Sequence, residues 1–452
     1  MSKFMFTRTV AAAVLTAAFT LPAGSALADE TSCSPFTPLI KGQEDLVYVM
    51  TLGVKGIGDG SDKLVTVDVN PQSKTYGKVV AQLSLGGRNE VHHMGLSDDR
   101  RHLWAGGLDS NKIWVFDIGS NPAKPKLIKT IANFAEKTGY VGPHSFYALP
   151  GRMMITPLSN KKDHGGETGV VVYNNKGDFV SAHAMPVGDL PIGKGDGYGY
   201  DVGVNPGKNV FLTSSFTGWN NYMMDLGKLI KDAEAMKHFG NTSVMWDLKT
   251  MQPLKVFNTP GAPLEVRWSW QPGDNWAITT AALTSQIWVY KQDDKGEWQA
   301  HNVGAIGNPA EIPLPVDISL AANGKGLWVD TFMDGSARYF DMSDPMHPKE
   351  VYKKKIGSQV NMVSQSYDGK RVYFTSSLLA NWDKKGKDDE QFLKVYDWDG
   401  KELTEKLSLD FYKLKLGRAH HMKFQVRDLK TLKPLESIAA VQPAVAQVAR
   451  AE

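Results

Sequence analysis

A short β-rich run, closed by a polar residue and a turn, recurs seven times along this chain and constrains its fold more than any other feature. The copies are Val65-Thr66-Val67-Asp68, Ile113-Trp114-Val115-Phe116-Asp117, Val170-Val171-Val172-Tyr173-Asn174, Val244-Met245-Trp246-Asp247, Ile287-Trp288-Val289-Tyr290-Lys291, Ala337-Arg338-Tyr339-Phe340-Asp341 and Leu393-Lys394-Val395-Tyr396-Asp397. Their mean spacing is about 55 residues. Several continue with turn residues, as in Asn70-Pro71, Asn121-Pro122 and Asp344-Pro345, which end strands for steric and hydrogen-bonding reasons. The second repeat holds four strand-like runs, at 94–97, 102–105, 112–117 and 126–130. A four-stranded unit of this period is a propeller blade. The chain is therefore expected to be all-β, a seven-bladed β-propeller in a single domain; two separate β-domains are the competing arrangement.

The ends suggest how the ring closes. Residues 46–51, 63–68 and 78–83 supply three strands without an innermost one, while 421–426 alternate like a strand with no partner after it. Pairing N- and C-terminal strands completes the seventh blade and removes the open edges. Leu226, Leu229, Ile230 and Ala233 predict one helical insertion within 221–238, in the longest gap between copies. The domain plan is residues 1–28 as a targeting segment, 29–429 as the propeller and 430–452 as a loose tail.

Residues 1–28 have the form of an exported protein's signal peptide. Lys3 and Arg8 precede an apolar run over 10–21, and Ala26-Leu27-Ala28 is a small-residue cleavage site. An uncleaved anchor is the alternative. The short basic start and the Ala-rich run look bacterial, so a periplasmic location is expected, with no membrane association after cleavage. Removing Lys3 and Arg8 leaves 49 basic against 48 acidic residues, a net charge of +1, which gives no electrostatic case for a nucleic-acid partner. The lone cysteine, Cys33, excludes an intrachain disulfide framework and a multi-thiolate metal site.

The first strand of each blade lines the central axis. Counting back from the turn that follows each one gives a common register: His93 with His92, His144, Asp201, Glu265, Asp317, Asn361, and His421 with His420. Three adjacent blades thus aim histidines at one mouth of the channel, flanked by carboxylates. Imidazoles converging without thiolates suit copper, zinc, iron or nickel; a purely structural role within the inner strands is the bland alternative. Strand alternation sends neighbouring residues to opposite faces, so each His-His pair is expected to contribute both rings only if the strand is irregular there. Asp201, Glu265 and Asp317 share the register; hydrogen bonding along the channel wall is one reading of them, and the catalytic base that the family resemblance given below implies is the other. His102, His164, His183, His238, His301 and His347 fall in turns, outer strands or the insertion. The glycine-rich stretch 193–199 lacks the Lys-Ser/Thr of a phosphate loop and is expected to be a flexible loop at the channel mouth. The 12 tryptophans are spread over the blades without an obvious pair, against a quinone-type dehydrogenase.

Several motifs carry a family resemblance. Glu90-Val91-His92-His93, Pro143-His144-Ser145, Gly199-Tyr200-Asp201, Pro263-Leu264-Glu265-Val266-Arg267, Pro315-Val316-Asp317-Ile318-Ser319-Leu320, Tyr339-Phe340-Asp341-Met342-Ser343-Asp344-Pro345 and Ala419-His420 resemble the selenium-binding protein family. The likeness spans roughly 45–425 and extends to its exported, methanethiol-oxidising bacterial branch. The resemblance implies a copper cofactor held by His92, His93, His144 and His420. It also implies conversion of methanethiol, oxygen and water to formaldehyde, hydrogen sulfide and hydrogen peroxide. A non-catalytic metal- or selenium-binding propeller is the alternative. The family's selenium-linked cysteine has no counterpart in this chain, since Cys33 lies outside the repeats.

Overall fold

The computed structural model describes residues 40, 42–269, 271, 273–383 and 390–432; the expected signal segment, Cys33 and most of the expected tail lie outside them. Seven four-stranded antiparallel sheets follow one another along the chain. Their innermost strands are Val91–Leu96, Tyr140–Leu149, Val202–Asn205, Pro263–Trp268, Pro315–Leu320, Met362–Gln365 and Arg418–Gln425. All but the ends of these strands are buried on both faces. The outermost strands are half exposed and often basic, as in Lys349–Lys355, which discourages edge-to-edge pairing. Blades pack through their large side chains: Trp104, Phe146, Met153 and Tyr173 share one inter-blade core.

The recurring polar residue has a local cause. Asp117 Oδ1 accepts from the Gly119 and Ser120 amides at 2.8 and 2.9 Å, Asp247 Oδ1 from Thr250 at 2.7 Å and Asp341 Oδ1 from Ser343 at 2.9 Å. Each carboxylate satisfies the amides that a third strand releases as it turns into the fourth.

Ring closure follows the sequence pattern. Leu46–Leu52 pairs with Arg418–Gln425, Leu46 opposite Gln425 and Leu52 opposite Arg418. Lys63–Asp68 and Val79–Ser84 complete that sheet. Arg371 of the preceding blade clasps the closure, donating to the carbonyls of Val69 at 2.6 Å and Glu44 at 2.9 Å. The fold runs slightly beyond the expected boundary at 429, because a 3-10 turn over Leu429–Thr431 packs Leu429 and Leu432 against the closing blade.

Two expectations need correction. The insertion is not one helix but three short turns, Trp219–Tyr222, Leu226–Leu229 and Ala235–His238. Asp225 restarts the chain by accepting from the Lys228 amide, and Asn221 Nδ2 holds the loop closed on Thr217 Oγ1 and the Ala235 carbonyl. Leu229 is buried, yet Ile230 is 58% exposed, so the helical spacing does not define one apolar face. The glycine-rich stretch is not a loop at the channel mouth. Gly193–Asp196 pairs with Val187–Leu190 as a hairpin, fixed to an outermost strand by Val256 N–H donating to the Ile192 carbonyl at 2.8 Å. Among the described residues no helix is long and apolar enough to cross a membrane.

Candidate metal centre

A repeated irregularity builds the site. Val91 pairs with Gly107 and Met94 with Ala105, so His92 and His93 together oppose Gly106. Pro143 pairs with Pro157 and Ser145 with Thr156, leaving His144 as the extra residue. His420 and His421 together face Met50, while Glu265 and Asp317 occupy matching bulges in their strands. A bulge re-aims side chains that strict alternation would send to opposite faces. The residue that enters these bulges is left-handed: Glu90 (φ 52°), Ala262 (58°) and Leu314 (58°), with Gly142 and Gly417 in the other two. For the three non-glycine residues this is a strained conformation, of about 1–3 kcal/mol each. A Cβ on Gly106 would collide with the Pro143 carbonyl, so the neighbouring blade can come close only over glycine.

Five imidazoles converge as a result. Ring centroids lie 3.9 Å apart for His92 and His420, 4.1 Å for His93 and His144, 4.9 Å for His92 and His93, and 4.5 Å for His93 and His421. One ring nitrogen from each of His92, His93 and His144 lies within 4.8 Å of the others, close enough to share a metal ion. Burial holds His92, His93 and His421 well below the usual imidazole range, reinforced by neighbouring rings at His92 and His93 and first by Lys423 at His421. Burial also takes His144 down to about 3 and His420 to about 4. All five are neutral near pH 7, the state a metal ligand requires.

The partners of each ring assign its free nitrogen. A carbonyl can only accept, so His144 Nδ1–H donates to the Tyr200 carbonyl (3.1 Å) and His420 Nδ1–H to the Ser377 carbonyl (2.7 Å). Both therefore leave an Nε2 lone pair, buried and without a hydrogen-bond partner among the described residues, as are the Nδ1 atoms of His92 and His93. Carbonyl-anchored rings of this kind are the usual supports of metal ligands. His421 is the opposite tautomer. Its Nδ1 accepts from the Met94 amide at 3.3 Å, so its Nε2 carries the proton and offers no lone pair. The donor set, neutral nitrogens with no thiolate, fits a transition metal such as copper.

Across the channel the carboxylates converge on Arg267, a residue the sequence register passed over. Its guanidinium meets Asp201 Oδ2 at 3.0 Å, Glu265 Oε2 at 3.1 Å and Asp317 Oδ1 at 3.2 Å. Backbone amides take up more of the oxygens: Val266 N–H donates to Asp201 at 2.8 Å, and Ile318 and Val363 donate to Asp317 at 2.8 and 2.9 Å. Burial pushes Asp317 up to about 7 against the pull of Arg267. Burial and then Asp201 push Glu265 well above the carboxylate range, and burial and then Asp317 do the same to Asp330. Glu265 links the two sides, its Oε1 lying 3.7 Å from His93 Nε2.

A mostly apolar cavity of about 20 Å³ adjoins His92, walled by Phe216, Phe239, Leu264, Leu379 and Trp382 among others. Sequence reasoning found neither this cavity nor Tyr200, whose ring lies 4.1 Å from His144. The available signals were the spacing of Glu265 and Arg267, which puts two opposite charges on alternate positions of one inner strand, and the apolar run at 378–379. The six other histidines lie outside the cluster, His347 in an exposed turn with Asp344 and His164 against Trp219.

Fold and site together define a propeller whose innermost strands carry a buried cluster of neutral imidazoles. The chain belongs to the 56 kDa selenium-binding protein family, whose model matches residues 27–431. It is 66% identical over 398 residues to a methanethiol oxidase of Hyphomicrobium, covering 88% of this chain and 90% of the relative. It is 60% identical over 407 residues to a methanethiol oxidase of Ruegeria pomeroyi, covering 88% and 93%. The X-ray structure of a hypothetical selenium-binding protein from Sulfolobus tokodaii superposes with a TM-score of 0.73 at 26% identity, over 87% of this chain and 97% of that one.

Proposed function

We propose that this chain is a copper-dependent methanethiol oxidase of the periplasm. It converts methanethiol, oxygen and water to formaldehyde, hydrogen sulfide and hydrogen peroxide. The methyl carbon loses two electrons, oxygen gains them, and water supplies the oxygen atom of formaldehyde. The observation that carries the reading is the set of buried, neutral ring nitrogens without partners, on a chain 60–66% identical to relatives named for this reaction. Leaving such groups buried and unsatisfied is costly, and a bound cation removes that cost.

His92 and His93 through Nδ1, and His144 and His420 through Nε2, would hold the metal. When bound, copper supplies a soft site that favours a thiolate over a thiol and a path for electrons to oxygen. The carbonyls of Tyr200 and Ser377 orient two of the rings. Among the candidate carboxylates, Glu265 is the one that reaches the imidazoles and exchanges a proton there. Asp201 and Asp317 hold Arg267 as its counter-charges. Residues 1–28 direct export, and the substrates are a small thiol and oxygen.

The test is oxygen uptake by purified protein given methanethiol, with sulfide and peroxide measured together. Copper-loaded protein should be active, metal-stripped protein inactive, and re-addition of copper should restore the rate. Copper-replete protein that binds the thiol without consuming oxygen would leave only a binding role.

A further inference from the structure

We propose that the apolar cavity beside His92 is the binding site for the alkyl group of an uncharged one-carbon thiol, and that its walls set which thiols react. This rests on the oxidase reading and adds its substrate class and specificity residues. The lining is apolar except for the His92 imidazole, the Tyr200 hydroxyl and the Trp382 indole N–H, and no side chain in it carries a charge. A thiol bearing a carboxylate or an ammonium group would bury that charge there without a counter-ion, which is strongly disfavoured. Size is equally restrictive. The cavity measures about 20 Å³, where a single water needs roughly 10–15 Å³ on the same measure. One sulfur and one carbon fill it, and each further methylene has to displace wall atoms.

The walls are built to resist that displacement. Leu264 stands beside Glu265 within the bulged strand, so the cavity and the centre share one rigid element. The facing loop, residues 378–382, is tied down at three points. Glu90 Oε1 accepts from the Ala380 amide at 2.7 Å, which binds the loop to the segment that leads into His92. Asp383 Oδ1 accepts from the Leu378 amide at 2.8 Å, and Asp383 itself pairs with Arg418 at 3.0 Å. Asn381 Nδ2 donates to the Met223 carbonyl at 2.9 Å, joining the loop to the insertion. The broken insertion thereby acquires a purpose: its short turns seat Phe216 and Phe239 over the cavity.

Two measurements test this. In the first, crystals of metal-free protein are pressurised with xenon, an apolar probe that needs neither copper nor turnover. Density beside His92, between Phe216 and Leu379, is expected; its absence overturns the chamber whatever the activity. In the second, kcat/KM is compared for methanethiol, ethanethiol and cysteamine. Wild type should favour methanethiol over ethanethiol by about 10–200-fold, the discrimination one methylene allows in a fitted apolar pocket, and should reject cysteamine more strongly. Leu379→Ala, or the half-buried Leu283→Ala if the first fails to fold, should reduce the ethanethiol gap at least tenfold with copper content unchanged. Ala282→Leu should fill the space, lowering methanethiol kcat/KM and abolishing the xenon density while copper stays bound. An unchanged chain-length ratio in the enlarged variants overturns the proposal. Wild type that oxidises no thiol overturns the oxidase reading instead, and the xenon result then decides the chamber by itself.

Discussion

The two halves of the channel wall share the innermost-strand register and, Asp201 apart, its bulges, and they end in opposite states. On one side, His92, His93, His144 and His420 each keep a buried ring nitrogen with no partner among the described residues. On the other, Asp201, Glu265 and Asp317 surround Arg267 and most of their oxygens are taken up by it and by backbone amides. The carboxylate half is thus held together by its own charges, whereas the imidazole half is completed only by something from outside. One scaffold device therefore serves a structural network and a binding centre, and the side chain placed in the bulge decides which.

The contrast is most easily broken at Arg267. Arg267→Ala leaves three buried carboxylates without their cation, and should cost about 3–5 kcal/mol of stability, read as a drop in the urea midpoint. His144→Ala should cost only about 1 kcal/mol, because the ring nitrogen it removes was unsatisfied, yet it should abolish most copper binding by elemental analysis. If the two variants are equally destabilised, or if His144→Ala keeps its copper, the halves are not different in kind.

Acid and base separate them further, in metal-free protein. His144 and His420 are depressed to about 3 and 4 from an unfolded value near 6.5. The unfolded chain therefore binds protons first as pH falls, and the imidazole half loses stability from about pH 6.5 downward until those low values are reached. Asp317 is raised to about 7, so the native state holds the extra proton. Its contribution is complete below about pH 4 and is lost as pH rises to 7. Over the shared range of about pH 4–6.5 the two act with opposite sign, so in denaturant midpoints across pH 3–8 Asp317→Asn should steepen the rise of stability with pH and His420→Gln should shrink it. A pH dependence that neither variant alters would contradict this assignment. The smallest effect is expected at His421. Since its Nε2 carries the proton, His421→Gln should leave copper stoichiometry unchanged, and a loss as large as that of His144→Ala would show that its tautomer is misassigned.

Much of this was legible in the sequence because it is periodic. Seven copies of one strand-and-turn pattern predict the blades, and the unpartnered runs at 46–83 and 421–426 predict the closure, which pairs as expected. The register that groups the histidines with Asp201, Glu265 and Asp317 comes from the same periodicity. What it does not carry is the departure from it. A bulge adds a residue without any mark in side-chain type, so both rings of His92-His93 turning inward could not be read from alternation. Arg267 has the composition of an ordinary surface residue and becomes central only when three strands bring their carboxylates to it. The insertion misled because Leu226, Leu229 and Ile230 have helical spacing, whereas Asp225 and Asn221 break the helix through local hydrogen bonds. The hairpin at 187–196 was misplaced because glycine content reports turn geometry and not position in the fold.

The imidazole half is expected to hold the metal. This is tested most directly by anomalous diffraction at the copper edge from copper-loaded crystals. One strong peak is expected among His92 Nδ1, His93 Nδ1, His144 Nε2 and His420 Nε2. A peak on the carboxylates around Arg267, or none in protein that elemental analysis shows to be copper-replete, would contradict it.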